Sequence, residues 1–125
     1  VVETADVLTF HCPLTPETRS MIGADEFRRM KNDAIVVNTA RGGLIDEDAL
    51  CAAIESNQIA GAGIDVVSAE PPADGHPYYQ LAGRPNFILT PHVGWASTEA
   101  MQEVAEQVIT NIENFVQGLP SNRIA

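Results

Sequence analysis

Four short apolar runs, each stopping at a proline, a glycine or a polar residue, constrain this chain more than any other feature. They are Val7–Phe10 before His11-Cys12-Pro13, Ala34–Asn38 before Thr39-Ala40-Arg41-Gly42-Gly43, Gly61–Val67, and Phe87–Thr90 before Pro91. Runs of this length, rich in strand formers and broken by turn residues, read as buried strands. Segments with helical spacing separate them. Ala24–Met30 carries Asp25 and Glu26 in its first turn and Phe27 and Met30 on one face. A second helix starts at an Asp46 cap, with Ile45 and Leu50 placed as a hydrophobic staple, and runs to about Asn57. After a Ser97 cap, Met101, Val104, Ala105, Val108, Ile109, Ile112, Phe115 and Val116 keep helical spacing until Gly118 and Pro120 end it. Strand–helix alternation predicts an α/β fold with a mostly parallel sheet, and continuous rather than alternating apolar strands predict cover on both faces. At 125 residues, one compact unit is expected.

The pattern lapses between Ser68 and Asn86, where Pro71, Pro72, Pro77 and Pro85 interrupt any period. A connection of that length without structure of its own is unusual in a compact domain and is often functional.

Charge narrows the partners. Seven basic residues against seventeen acidic ones give a net charge of −10, which disfavours a nucleic-acid partner. No apolar run reaches the roughly 20 residues of a membrane span, so no membrane partner and a cytoplasmic location are expected. Cys12 and Cys51 form no CxxC or Cys/His cluster, and both are expected to be free thiols, with no metal site.

In open parallel sheets ligands bind beyond the carboxyl ends of the strands. That edge is where His11, Arg41, Glu70 and His92 fall. Arg41, between a strand and two glycines, suits bidentate capture of a carboxylate; it also suits a surface ion pair with Asp46 or Glu47. His92 at a strand end can exchange a proton near neutral pH, or serve as a structural histidine bonded to backbone. Glu70 can orient such an imidazole and favour its charged form, or be an ordinary loop residue. Together an anion clamp, an acid–base group and its orienting carboxylate are the parts of a proton-coupled carbonyl reaction. Neither GxGxxG nor a P-loop occurs in the sequence.

The segments HCPLTPETRSMIG, MKNDAIVVNTARGGLIDEDAL, GAGIDVVSAEPP and NFILTPHVGWAS, in that order, resemble the D-isomer-specific 2-hydroxyacid dehydrogenases over essentially the whole chain. The resemblance implies half of a Rossmann-type doubly wound parallel sheet with a long C-terminal helix, residues 1–125 being the second half of the nicotinamide-binding domain. It implies that Arg41 binds the carboxylate and polarises the carbonyl of a 2-oxo acid, that His92 donates the proton in reduction, and that Glu70 holds His92 protonated. It places Asp65 at the nicotinamide and ribose side of an NAD cofactor (NADP being the alternative), Thr39, Ala40 and Gly94 along its path with Arg41 and His92, and His11, Cys12 and Pro13 beside its adenosine half. Cys12 reads equally as a small buried side chain, Asp65 as a turn cap, and Trp95 either as part of a substrate pocket or as a cap on the long helix.

Within the family, GWAS after His92 and the His-Pro pair after the EPP loop look closest to glycerate dehydrogenase (hydroxypyruvate reductase). Phosphoglycerate dehydrogenase and broad 2-oxo acid reductases share Arg41, Glu70 and His92. So do the nicotinamide-responsive C-terminal binding protein corepressors, a binding module rather than an enzyme. Formate dehydrogenases carry Gln where Glu70 stands. The family's glycine-rich cofactor loop, the acidic residue that selects NAD over NADP and the substrate domain have no counterpart in these residues. The chain alone is therefore expected to be inactive, and the intact enzyme to be a homodimer acting on a small 2-oxo or 2-hydroxy acid. An exposed sheet edge and apolar face would also suit pairing with a second copy.

Overall fold

The computed structural model describes residues 1–119 and 121–123; Pro120, read above as part of the stop of the long helix, lies outside them. The chain divides into two units at the junction of His92 and Val93, where the sequence predicts one.

The first unit is a four-stranded parallel sheet of β1 (Val7–Phe10), β2 (Ile35–Asn38), β3 (Gly61–Ile64) and β4 (Phe87–Leu89), in the order β1-β2-β3-β4. The connections carry α1 (Ala24–Arg29), a 3-10 turn over Gly42–Leu44, α2 (Glu47–Glu55) and a second 3-10 helix over Pro77–Leu81. β1 matches its predicted bounds, whereas α2 stops two residues short of Asn57. β3 ends at Ile64, so Asp65, Val66 and Val67 have left the sheet. The Ser68–Asn86 connection is not structureless. Pro77 at the start of its 3-10 helix suits the fixed φ of a first helical residue, and Tyr78 and Leu81 are fully buried there.

Strand order fixes where the cover lies. With sequential neighbours joined by crossovers of one hand, every helix falls on the same side of the sheet. Accordingly α1 packs on α2, and α2 on the 3-10 helix. The face formed by Val36, Ala62 and Phe87, and by Phe10, Asn38 and Ile64 one step on, is buried against Phe27, Leu50, Ile54, Tyr78 and Leu81. Each Val, Leu, Ile or Phe among them contributes roughly 1.5–3 kcal/mol by leaving water. The opposite face carries Val7, Ile35 and Ile88 at 56, 43 and 64% exposure. The expectation of two covered faces fails here because a half-sheet wound in one direction has helices for only one of them.

Local signals account for the helix ends. Asp46 accepts a hydrogen bond from Ala49 N–H (2.9 Å) as the cap of α2, with Ile45 and Leu50 both in the core. In α1 the Glu26 carboxylate accepts from Gly23 N–H (3.1 Å).

The second unit is built on α3 (Thr98–Val116), whose Ser97 cap accepts from Ala100 N–H (3.1 Å). Gly118, at φ +71°, closes it in the left-handed conformation that glycine tolerates best. Among the described residues no helix is long and apolar enough to cross a membrane.

Candidate active site

Parallel register brings the candidate residues to one edge. Phe10, Asn38, Ile64 and Leu89 stand side by side, so residues 11–13, 39–43, 65–70 and 90–92 all leave the sheet from the same crest. At about 4.8 Å per strand, that crest is roughly 14 Å wide.

At the β4 end, His92 Nδ1 and Glu70 Oε2 are 2.7 Å apart, with side chains 41% and 38% exposed. The second Glu70 oxygen accepts from Val67 N–H (3.2 Å). The hydrogen bond from His92, aided by the Val67 N–H, holds the Glu70 carboxyl below the usual carboxylate range against a smaller desolvation effect. His92 itself has φ +53°, a left-handed conformation costly for a residue with a Cβ, just after Pro91. Such local strain persists where the surroundings over-determine it, and here it accompanies the Glu70 contact.

At the β2 end, the turn that presents Arg41 is built by Asn38. Its side chain is 1% exposed, donates to Arg41 C=O (2.9 Å) and accepts from Ala40 N–H (3.1 Å). Asn is suited to such turns because its amide imitates a peptide group. Arg41 is exposed and sends one of its five N–H donors to Ala40 C=O (2.6 Å). The surface pairing with Asp46 or Glu47 does not form, since Asp46 caps α2 and Glu47 is bound to Ser68 and His76.

Between these ends, Asp65 is 4% exposed and accepts from Thr90 Oγ1 (2.5 Å). A cavity of about 410 Å³ is lined by Leu14, Arg41, Gly42, Gly43, Val66, Val67, Ser68, Glu70 and His92. A second, of about 370 Å³, lies on the other flank of the Glu70–His92 pair, with Asp65, Pro71, Pro72, Tyr79, Leu89, Thr90 and Pro91 in its wall. Arg41, Glu70 and His92 thus converge on one cleft, Asp65 borders the next, and Thr39 and half-buried Ala40 lie beside them on the crest.

His11, half-buried Cys12 and Pro13 lie at the far end, after β1, where His11 Nε2 is 3.0 Å from Thr9 Oγ1. Gly94 and Trp95 belong to the second unit, in a turn closed by Ala96 N–H to Val93 C=O (2.9 Å). Cys12 and Cys51 are both free thiols.

Several contributors escape sequence reasoning. Asn38 carries a recognisable signal, a turn-forming amide at a strand end. The pairing of Glu47 with Ser68 and His76 carries none, because the bonds span 21 and 29 residues.

The family model for the D-isomer specific 2-hydroxyacid dehydrogenase NAD binding domain matches residues 1–94. A glycerate dehydrogenase of Methylorubrum extorquens is 53% identical over 122 residues, covering 98% of this chain and 38% of the relative. A D-3-phosphoglycerate dehydrogenase of Bacillus subtilis is 42% identical over 120 residues, covering 96% of the chain and 22% of the relative. Among solved structures, a D-lactate dehydrogenase with NAD+ from Lactobacillus jensenii superposes with a TM-score of 0.89 at 32% identity, covering 99% of the chain and 40% of that protein. The chain thus spans about two fifths or less of the length of these relatives.

Proposed function

The chain belongs to the D-isomer-specific 2-hydroxyacid dehydrogenases, and on that premise we propose that the intact protein reduces a small 2-oxo acid with a reduced nicotinamide cofactor, and oxidises the matching D-2-hydroxy acid in reverse. The observation that carries this reading is the 2.7 Å Glu70–His92 contact opening onto the same cavity as Arg41.

The residues present fit the nicotinamide end of such a cofactor. Thr39 and Ala40 offer a crest of small side chains, and buried Asp65 offers a carboxylate acceptor beside the reacting groups. The glycine-rich phosphate cradle is not among these residues, so NAD is the proposed cofactor from the family rather than from a selectivity residue in the chain. When bound, the cofactor supplies the hydride.

The chain's own residues do the rest. Arg41 takes the substrate carboxylate in its guanidinium fork and brings positive charge to the carbonyl oxygen, where negative charge develops. His92, with Nδ1 committed to Glu70, passes its proton to that oxygen through Nε2. Glu70 orients the imidazole and, ionised, favours its charged form before transfer.

Glycerate and hydroxypyruvate are the proposed substrate pair, supported by the 53% identity to a glycerate dehydrogenase. The 42% identity to a phosphoglycerate dehydrogenase favours a second reading, 3-phosphoglycerate. NADH and NADPH oxidation by the intact protein, measured over hydroxypyruvate, glyoxylate and 3-phosphohydroxypyruvate, tests both. Preference for hydroxypyruvate with NADH is the expected result. Preference for the phosphorylated acid supports the second reading, and turnover of none overturns the proposal.

A further inference from the structure

The Ser68–Asn86 connection carries Glu70 but has no strand or helix of its own near that residue, so something else must hold the carboxylate in place. We propose that Glu47 is a positioning residue for the Glu70–His92 pair, clamping the Glu70 loop to the start of α2 through Ser68 and His76. This rests on the reading of Glu70 and His92 given above.

Three donors converge on the Glu47 carboxylate. Ser68 N–H reaches Oε1 (2.7 Å), while Ser68 Oγ–H (2.9 Å) and His76 Nε2 (3.1 Å) reach Oε2. The tautomer follows from geometry. His76 Nδ1 accepts from Tyr78 N–H (3.3 Å), so Nε2 carries the hydrogen given to Glu47. The His76 and Glu47 side chains are 8% and 14% exposed, far less than the 41% and 38% of the reacting pair. Solvent therefore competes little at the Glu47 carboxylate and His76, while Ser68 lies at the exposed end of the clamp, and charge-assisted bonds of this kind are among the stronger ones. Glu47 is also the first residue of α2, where the helix dipole favours a negative group.

From Ser68 the clamp acts over two residues. Val67 N–H already binds Glu70 Oε1, and the Val67–Ser68 peptide lies directly against Gly42, next to Arg41. Glu47 accepts the N–H of this peptide while Gly42 packs directly against it, which sets Glu70 relative to Arg41. Other titratable groups near Glu47 are Tyr78, Cys51, Asp46 and Asp48. Those lining a cavity together with His92 are Glu70, Asp65, Tyr79 and Arg41.

The test follows the His92 imidazole directly by NMR of histidine-labelled intact protein through a pH titration, together with kcat and KM for 2-oxo acid reduction. The variants are Glu47→Ala, Glu47→Gln and Ser68→Ala, with Glu70→Gln as the reference. Glu47→Ala is expected to move the His92 midpoint downwards by about half or more of the Glu70→Gln shift. It should also lower kcat on the order of tenfold while KM stays within about twofold. Ser68→Ala and Glu47→Gln should fall in between, because each keeps part of the bonding to Ser68. If Glu70→Gln moves the midpoint and neither Glu47→Gln nor Ser68→Ala does, the clamp is refuted while the pairing of Glu70 with His92 stands. If Glu70→Gln itself moves nothing, that pairing is wrong and the clamp falls with it.

Discussion

Replacing Gly42 by alanine puts a methyl group 1.9 Å from the Val67 carbonyl carbon, 2.0 Å from its oxygen and 2.4 Å from Ser68 N. All three are backbone atoms, so no rotamer can relieve the clash. Restoring the ordinary contact distance of 3.4 Å requires one backbone to move by about 1.5 Å. Whichever side yields, the site is disturbed, since one backbone leads into Arg41 and the other into Glu70. Overpacking of this kind costs about 1–3 kcal/mol of stability, and a misplacement near 1 Å can cost on the order of 100-fold in rate. Gly43 is the internal control. Its added methyl meets only side-chain tips, Leu14 at 3.2 Å and 3.4 Å and the Arg19 guanidinium at 3.3 Å, which can swing aside. In the intact protein, kcat/KM for reduction should therefore fall ~100-fold in Gly42→Ala and remain within ~3-fold in Gly43→Ala. Urea titration should show Gly42→Ala destabilised and Gly43→Ala changed by less than ~1 kcal/mol. Equal effects at the two glycines, or a fully active Gly42→Ala, would refute the backbone-contact reasoning.

Other consequences are as concrete. Glu70→Gln should move the alkaline limb of the pH–rate profile for reduction to lower pH, because the imidazole loses a neighbouring negative charge that favours its charged form; an unchanged limb counts against the pairing. The depressed Glu70 pKa carries its own sign: the contact's contribution is fully present above the ordinary carboxylate value and is lost only as pH falls through the lower folded value, so the wild-type site should stay paired to the acid side of pH 4.5. Asp46→Ala should lower stability by about 1 kcal/mol through loss of the bond to Ala49 N–H, whereas Asp46→Asn should stay within a few tenths, as read by the urea midpoint. Burial pushes the Cys51 thiol up to about 11, aided by Glu55, Asp48 and Glu47, so iodoacetamide at neutral pH should label half-buried Cys12 first; mass spectrometry of the labelled peptides decides it.

Much of the fold was legible because its signals are local. VLTF before a proline, Asp46 before a helical stripe, and Ser97 before the longest such stripe each specify an element within a few residues. The crest was legible for the same reason: four strands running one way must end on one edge, and the residues after them must meet there. What escaped depends on contacts far apart in sequence. The shortness of β3 reflects Asp65–Val67 leaving the sheet to carry the Glu70 loop. The 3-10 helix at Pro77–Leu81 stands on Tyr78 and Leu81 filling the core, which prolines alone do not announce. The bare face around Ile35 and Ile88 follows from winding direction, not from the apolar strand pattern that suggested double cover. In the site, the residue types proposed for chemistry were readable from position, whereas Glu47, His76 and Ser68 pair only once the chain has folded back on itself.

The proposed reaction requires Arg41 and His92 to hold the two ends of one 2-oxo acid. It is tested most directly by a crystal structure of the intact protein with NADH and oxamate, a 2-oxo acid mimic that accepts no hydride. The oxamate carboxylate is expected on the Arg41 guanidinium and its carbonyl oxygen within hydrogen-bond distance of His92 Nε2, with Glu70 still on Nδ1. Oxamate bound away from Arg41, or with His92 turned from its carbonyl oxygen, would contradict it.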